Sequence, residues 1–267
     1  MRFRMRDYAC TLPMIVAACG LLLAGRPSLA ATPAPGAAAK RAAVRAEAGD
    51  LQKGFLLKTI RHGDKEYRYV LYVPADYDES KSWPTILFLH GAGECGSDGL
   101  APVAVGIGPA LMLHSEQWPF LVIIPQKPER RDAWEQHDAL LMAMLDETKA
   151  HYKVDASRLY LTGLSQGGHG AWALGAKHPD LWAAIAPICG YGKPEEFAAP
   201  LKAMPIWCFH GEADPVVPVK QSQEIVAAIK AAGGSPELTT YPGVEHNSWD
   251  KAYQEAGLAD WFLKHKR

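Results

Sequence analysis

The sequence has almost no net charge and lacks the common metal-binding motifs. Its 267 residues carry 28 Lys and Arg against 29 Asp and Glu, without a long basic run. Proteins that bind nucleic acid usually carry a basic patch, so this balance argues against a nucleic-acid partner. The patterns H-E-x-x-H and C-x-x-C do not occur. We therefore expect no metal and no other cofactor.

Cysteine is also scarce. Of the five cysteines, Cys10 and Cys19 lie close to the N-terminus, and Cys95, Cys189 and Cys208 are spread through the rest of the chain. Three cysteines at irregular spacing do not predict a disulfide framework, and the sequence leaves open whether any two of them pair.

The N-terminal segment lacks an apolar run long enough to cross a bilayer. Residues 12–25 are mostly apolar but contain Pro13 and Gly20, and a membrane span needs about 20 apolar residues. Three arginines precede this run, and the small residues Ser28-Leu29-Ala30 follow it. This combination predicts a signal peptide over residues 1–30 and a secreted or periplasmic protein without a stable membrane span.

Two further assignments complete the domain organisation. Val16-Ala17-Ala18-Cys19 resembles a bacterial lipobox, which keeps a lipid anchor at Cys19 as an alternative, although the residues after Cys19 stay apolar. Residues 31–50 are rich in Ala, Pro and Gly, which predicts a flexible linker. We expect residues 51–267 to form a single domain, long enough to bury a full hydrophobic core.

Strand and helix patterns alternate through this domain. Residues 54–60 and 65–73 predict an N-terminal antiparallel hairpin. Short apolar strands are expected at 85–89, 121–124, 159–162, 182–186, 206–209 and 237–241, and helices at 139–152, 222–232 and 252–266. Such alternation predicts an α/β fold with a mostly parallel central sheet, helices on both of its faces and no large lid.

Residues 163–167 read G-x-S-x-G, between a predicted strand and a helix-compatible segment. A serine on such a sharp turn projects its hydroxyl out of the sheet and serves as the nucleophile in many hydrolases. The pattern also occurs by chance in Gly-rich loops. Its flanking strand and helix favour Ser165 as a catalytic nucleophile.

Later strands supply candidate partners for Ser165. In parallel sheets the loops at the carboxyl ends of the strands build the site, in the chain order serine, acid, histidine. Asp214 follows the strand at 206–209, with Glu212 as the second candidate acid. Asp214 could instead be an ordinary turn residue before Pro215. His246 follows the last strand and would accept the proton of Ser165.

Two backbone amides are expected to stabilise the oxyanion. One belongs to Gln166, and the other to the loop after the strand at 85–89, where we favour Ala92 over Gly91. Residues 91–96 also match G-x-G-x-x-G, a dinucleotide fingerprint. A dinucleotide-binding site would require an acidic residue at the carboxyl end of the next strand. Glu116 has the right separation but precedes that strand, so no nucleotide cofactor is expected.

Taken together, residues 90–94, 163–168, 210–218 and the His246 loop resemble secreted esterases of the α/β-hydrolase superfamily. These are described as phospholipase/carboxylesterase-like, dienelactone-hydrolase-like or prolyl-oligopeptidase-like. The resemblance runs from about residue 67 to the C-terminus and implies Ser165, Asp214 and His246 as a catalytic triad, with Ala92 and Gln166 as oxyanion donors.

The resemblance implies hydrolysis of carboxylic esters, short-chain or aromatic, including feruloyl and acetyl esters attached to polysaccharides. Relatives commonly carry arginine where this chain has Cys95, which puts substrate contacts there in doubt. The serine nucleophile argues against dienelactone hydrolysis. A peptidase without a propeller and a non-catalytic binding module remain alternatives. Trp134, Trp249 and Gln126 are candidate substrate contacts, with ordinary packing as the alternative for the two tryptophans.

Overall fold

Eight strands form one sheet in the residues that the computed structural model describes, 52–254 and 257–267. The predicted signal peptide (1–30), linker (31–50) and lipid-anchor residue Cys19 lie outside the described residues. The strands are β1 (Gly54–His62), β2 (Lys65–Val73), β3 (Trp83–Leu89), β4 (Leu121–Pro125), β5 (Val154–Leu164), β6 (Ala184–Ile188), β7 (Trp207–Gly211) and β8 (Glu237–Tyr241).

The spatial order of the strands is β1-β2-β4-β3-β5-β6-β7-β8. β1 pairs antiparallel with β2, and β2 pairs antiparallel with β4. All remaining neighbours pair in parallel. The predicted N-terminal hairpin and mostly parallel sheet are therefore confirmed.

The central strands are buried on both faces, which explains their continuous apolar runs. In β3 every residue is buried. Leu87 and Leu89 pack into one hydrophobic cluster, and Ile86 and Phe88 pack into another on the opposite face of the sheet. Successive side chains of a strand point to opposite faces, so one apolar strand contributes to two core layers.

Helices cover both faces of the sheet, as predicted. Residues of the helices α2 (Asp138–His151), α3 (Gln166–Lys177), α4 (Pro194–Phe197) and α5 (Lys220–Ala231) pack into the first cluster. The second cluster receives residues of α1 (Ile107–Leu113), α6 (Trp249–Gln254) and α7 (Leu258–Leu263). No helix among the described residues is both long enough and apolar enough to cross a membrane.

Several boundaries differ from the sequence prediction. The closing helix expected at 252–266 is two helices, because Gly257 adopts a left-handed conformation with φ 70° immediately before α7. Strand β5 starts at Val154 rather than at residue 159, and its first part is polar, with Arg158 bonded to Asp155. Hydropathy alone misses such a segment, because backbone pairing forms it without full burial.

Candidate active site

Ser165 lies on the turn between β5 and α3, in a conformation that non-glycine residues rarely adopt. Its φ is 55° and its ψ is −116°, and its amide donates a hydrogen bond to the carbonyl of Ile188 at 2.9 Å. A non-glycine residue in such a region costs on the order of 1–3 kcal/mol and is found preferentially at functional sites. The turn presents the serine at the carboxyl edge of the sheet.

The glycines of the motif are required by close backbone contacts. A Cβ atom on Gly167 would lie 1.9 Å from the carbonyl oxygen of Leu89, and one on Gly163 would lie 2.4 Å from the carbonyl oxygen of Gly167. No side chain fits at either position without moving backbone. These contacts bring the start of α3 against the end of β3, so the Ser165 turn and the loop after β3 lie side by side.

The structure brings Ser165, His246 and Asp214 together. The Nε2 atom of His246 lies 2.9 Å from the Oγ atom of Ser165, and its Nδ1 atom lies 2.6 Å from Oδ2 of Asp214. Because an ionised carboxylate only accepts hydrogen bonds, the ring proton lies on Nδ1 and the Nε2 lone pair faces the serine hydroxyl. This is the arrangement in which an imidazole accepts the serine proton.

Asp214 is held as a buried carboxylate. Its Oδ1 atom accepts hydrogen bonds from the amides of Val216 at 2.8 Å and Val217 at 2.9 Å. Burial favours the neutral acid, but the hydrogen bonds from His246 and these amides outweigh it, and the pKa of Asp214 is lowered. The charged form therefore persists opposite His246.

His210 supports the same turn from beneath. Its Nε2 atom donates to the carbonyl of Val217 at 2.8 Å, and its Nδ1 atom accepts from the hydroxyl of Ser222 at 2.7 Å. Burial lowers the pKa of His210, so the neutral ring fits both bonds. By contrast, Glu212, the second candidate acid, is exposed and accepts a bond from the hydroxyl of Thr240. The carboxylate bonded to His246 is that of Asp214, so the geometry favours Asp214 over Glu212 as the acid.

The two predicted oxyanion donors lie at helix starts beside Ser165. Gln166 is the first residue of α3, and Ala92 is the first residue of a short 3-10 helix, Ala92–Glu94. Amides at the first positions of a helix have no carbonyl partner within that helix. Both residues line the same cavity as Ser165, so their amides are available to a substrate oxygen.

A buried histidine fixes the loop that carries Ala92. His90 donates from Nδ1 to the carbonyl of Gly91 at 2.5 Å, and its Nε2 atom accepts from the amide of Lys127 at 3.1 Å. Only a neutral ring satisfies both contacts. Burial lowers the pKa of His90 to about 4, so this arrangement persists at neutral pH.

A cavity of about 370 Å³ opens over the serine. Its lining combines Ala92, Ser165 and Gln166 with Tyr191, residues 216–218 and Gln221. The sequence prediction missed the latter group. A signal for Tyr191 was present, because an aromatic residue between Gly190 and Gly192 follows β6 directly, at the edge of the sheet where sites form.

The structure places two of the three predicted substrate contacts away from the cavity. Trp134 is 1% exposed and donates from Nε1 to the carbonyl of His90 at 3.1 Å. Gln126 is 3% exposed and bonds to the carbonyl of Glu94 and the amide of Gly99. Both side chains therefore brace the loop after β3 from below instead of reaching the cavity.

The third predicted contact, Trp249, is half-buried. Its ring and that of His246 pack edge to face, with centroids 5.3 Å apart and planes at 84°. Trp249 therefore contacts the histidine beside Ser165 rather than the cavity lining.

Cys189, Asp214 and His246 do not form a metal site. All three cysteines in the described part of the chain are free thiols. Ligand atoms of Cys189, Asp214 and His246 lie within 4.8 Å of one another. However, burial raises the pKa of the Cys189 thiol well above its ordinary range, and a metal binds the thiolate. Asp214 and His246 are already bonded to each other, so this set does not fit a metal ion.

Comparison with known proteins places this site in a family. The family model for phospholipases and carboxylesterases matches residues 114–258. A putative esterase, NocK, from Nocardia uniformis subsp. tsuyamanensis is 30% identical over 189 residues, which is 66% of this chain and 52% of NocK. Feruloyl esterase B from Neurospora crassa is 31% identical over 136 residues, 46% of this chain and 44% of that protein.

The solved structure of a thermostable esterase superimposes with a TM-score of 0.73 at 31% identity, covering 80% of this chain and 63% of that one. The chain spans about half the length of the curated relatives it matches. The matched segment contains the Ser165 turn, the Asp214 loop and the His246 loop. The chain belongs to the phospholipase/carboxylesterase family, within the α/β-hydrolase fold.

Proposed function

We propose that this protein is a secreted serine esterase that hydrolyses short-chain or aromatic carboxylic esters. The observation that carries the proposal is the chain of hydrogen bonds that runs from Ser165, which lines the cavity, through His246 to Asp214. Membership in the phospholipase/carboxylesterase family supports the reaction class.

Each group has a defined role in the proposed reaction. Ser165 attacks the ester carbonyl while His246 accepts its proton at Nε2, and Asp214 stabilises the resulting imidazolium. The amides of Ala92 and Gln166 bind the oxyanion. His246 then returns the proton to the departing alcohol. In the second half of the reaction, water attacks the acyl-enzyme carbonyl while His246 accepts its proton. His246 then returns the proton to Ser165, and the acid is released.

The size of the cavity supports a substrate with a small acyl or alcohol group. Its volume of about 370 Å³ lies near the lower end of the roughly 300–1,000 Å³ typical of small-molecule sites. Tyr191 and Val217 give it apolar walls. The relative described as a feruloyl esterase further supports aromatic acyl groups.

A substrate panel tests this proposal. We expect turnover of p-nitrophenyl acetate and butyrate or of methyl ferulate, with acetylated xylan included for carbohydrate esters and a peptide amide for peptidase activity. The Ser165→Ala variant should keep the circular dichroism spectrum and lose turnover. Full activity in a well-folded Ser165→Ala variant would contradict the mechanism.

Secretion is tested separately. The basic start, the short apolar run and Ser28-Leu29-Ala30 support removal of residues 1–30 during export. The intact mass of protein recovered from the periplasm or medium should correspond to a chain beginning at Ala31. Recovery of only the uncleaved chain would contradict export through a cleaved signal peptide.

A further inference from the structure

Tyr191 lies in the loop between β6 and α4 and lines the cavity over Ser165. Its side chain is half-buried. The mechanism proposed above gives it no role. A residue at this place determines which groups fit beside the serine, so what holds Tyr191 in position bears directly on substrate choice.

His169 holds this loop through two different contacts. Its ring stacks on the ring of Tyr191, with centroids 4.9 Å apart and planes at 8°. Its Nδ1 atom also donates to the carbonyl of Tyr191 at 2.9 Å. His169 lies one turn after Ser165 on α3, and its amide donates to the Ser165 carbonyl at 3.0 Å. The support for Tyr191 therefore lies on the helix that begins immediately after the nucleophile.

Glu135 completes the arrangement from the other side of His169. Its Oε1 atom lies 2.8 Å from Nε2 of the ring, and its Oε2 atom is buried without a hydrogen-bond partner. Because Nδ1 already donates to a carbonyl, a proton on Nε2 makes the ring an imidazolium paired with a carboxylate. The side chains are 17% and 31% exposed, so water competes only partly with this bond.

The backbone around Tyr191 is fitted closely against both α3 and α4. A Cβ atom on Gly190 would lie 2.6 Å from the carbonyl carbon of Gly168, and one on Gly192 would lie 2.4 Å from the ring of Phe197. Gly192 also has φ 150°. Gly190 lets the loop lie directly on α3, and Gly192 lets it pass close to Phe197 of α4, with Tyr191 between them lining the cavity.

We infer that the His169–Glu135 pair is a positioning device that fixes Tyr191 as the specificity-determining wall of the cavity, where a planar aromatic group of the substrate packs against the tyrosine ring. The inference rests on the proposed function for its kinetic consequences. His169 covers one face of the Tyr191 ring, and Tyr191 is one of the residues that line the cavity.

The charges around the pair give it a pH signature. Burial alone would lower the pKa of His169, but the hydrogen bond to Glu135, the Tyr191 carbonyl, and the charges of Glu135 and Glu196 raise it above its ordinary value. Burial alone would raise the pKa of Glu135, but the bond to His169 lowers it, with help from Lys177. Both side chains are therefore charged at pH values between the lowered pKa of Glu135 and the raised pKa of His169. The ion pair is lost as pH rises through the pKa of His169.

The test compares ligands that differ only in aromaticity. Binding of cinnamate and of (E)-3-cyclohexylpropenoate, which share the same unsaturated linker and carboxylate, is measured by titration calorimetry and needs no catalysis. Hydrolysis of their methyl esters gives the same comparison in kcat/KM. Phenyl acetate against cyclohexyl acetate repeats it with the ring on the alcohol side. Because two aromatic rings in contact gain energy beyond their buried area, the wild type should prefer the aromatic ligand of each pair by about 3- to 10-fold.

Tyr191→Leu should remove this preference and Tyr191→Phe should keep it. His169→Gln should reduce the preference through KM, with kcat changed less than twofold. The matched control is His178→Gln, because His178 bonds Asp138 at the same 2.8 Å but follows the far end of α3. That variant should leave the preference unchanged.

Measuring the aromatic preference as a function of pH distinguishes a positioning role of the His169–Glu135 pair from simple packing. In wild type the aromatic preference should fall as His169 loses its Nε2 proton, since the bare lone pair then faces the Glu135 carboxylate. Glu135→Gln should abolish this fall, because the amide donates to the neutral ring.

An unchanged preference for cinnamate in folded Tyr191→Leu would overturn the inference, whether or not the wild type hydrolyses esters. Equal effects of His169→Gln and His178→Gln would overturn the positioning role. Absence of all ester turnover with intact cinnamate selectivity would contradict the proposed function alone.

Discussion

Replacing Asp214 by asparagine should remove catalysis while leaving the fold in place. The asparagine oxygen can still accept from the amides of Val216 and Val217, which now bond Oδ1. Its amide group would then face His246 and could only donate. The ring would have to accept at Nδ1 and carry its proton on Nε2, facing Ser165. In that tautomer His246 cannot take the serine proton.

The expected loss is large because the Asp214 side chain is fully buried and water cannot replace the carboxylate. The same change in another Ser-His-Asp enzyme lowers kcat about ten-thousand-fold, which corresponds to about 5 kcal/mol of transition-state stabilisation. The assay is kcat for p-nitrophenyl butyrate at pH 8. Glu212→Gln, two residues earlier in the same loop, is the matched control and should retain wild-type kcat.

The dependence of protein stability on acid pH provides a second test of the same variant. Because the pKa of Asp214 is lowered in the folded protein, its contribution to stability is present above the unfolded pKa and is lost as pH falls through the folded pKa. The unfolding midpoint of Asp214→Asn should lack this part of the acid dependence. A folded Asp214→Asn variant with more than a tenth of wild-type kcat would refute the assigned role.

Three further outcomes are expected. Gly167→Ala should destabilise the protein by about 3 kcal/mol or more, because its Cβ meets the Leu89 carbonyl, whereas Gly93→Ala, with open space around its Cβ, should unfold at the wild-type urea concentration. Trp134→Ala should cost about 3–5 kcal/mol in urea unfolding without changing the aromatic preference; a selective loss of aromatic substrates would contradict its structural role. Since the pKa of folded His90 is about 4, stability should fall by roughly 3 kcal/mol between pH 6.5 and 4 as the unfolded chain takes up the proton. An NMR titration of the His90 ring near pH 6.5 would contradict this.

Much of the fold was predictable because the central strands are apolar throughout and the turns carry glycine. The Ser165, Asp214 and His246 loops could also be located, since chain order and strand ends limit where partners of a nucleophile can lie. The three residues then meet within hydrogen-bonding distance.

The cavity walls were harder to predict. Trp134 and Gln126 follow a strand end, as a substrate contact would, yet both turn inward to bond the loop after β3. Tyr191 reaches the cavity because Gly190 lies against α3 and Gly192 lies against Phe197 of α4. Which way a loop side chain turns depends on such tertiary contacts, and local sequence patterns carry little information about them.

The central claim is that His246 activates Ser165 as a nucleophile. A fluorophosphonate reacts covalently with an activated serine, and the adduct is located by mass spectrometry of the digested protein. Wild type should carry one adduct, on Ser165, while Ser165→Ala should carry none and His246→Gln should react at least about a hundredfold more slowly, as expected for loss of a general base. A folded wild-type protein without an adduct at Ser165, or with the same labelling rate in His246→Gln, would contradict the account.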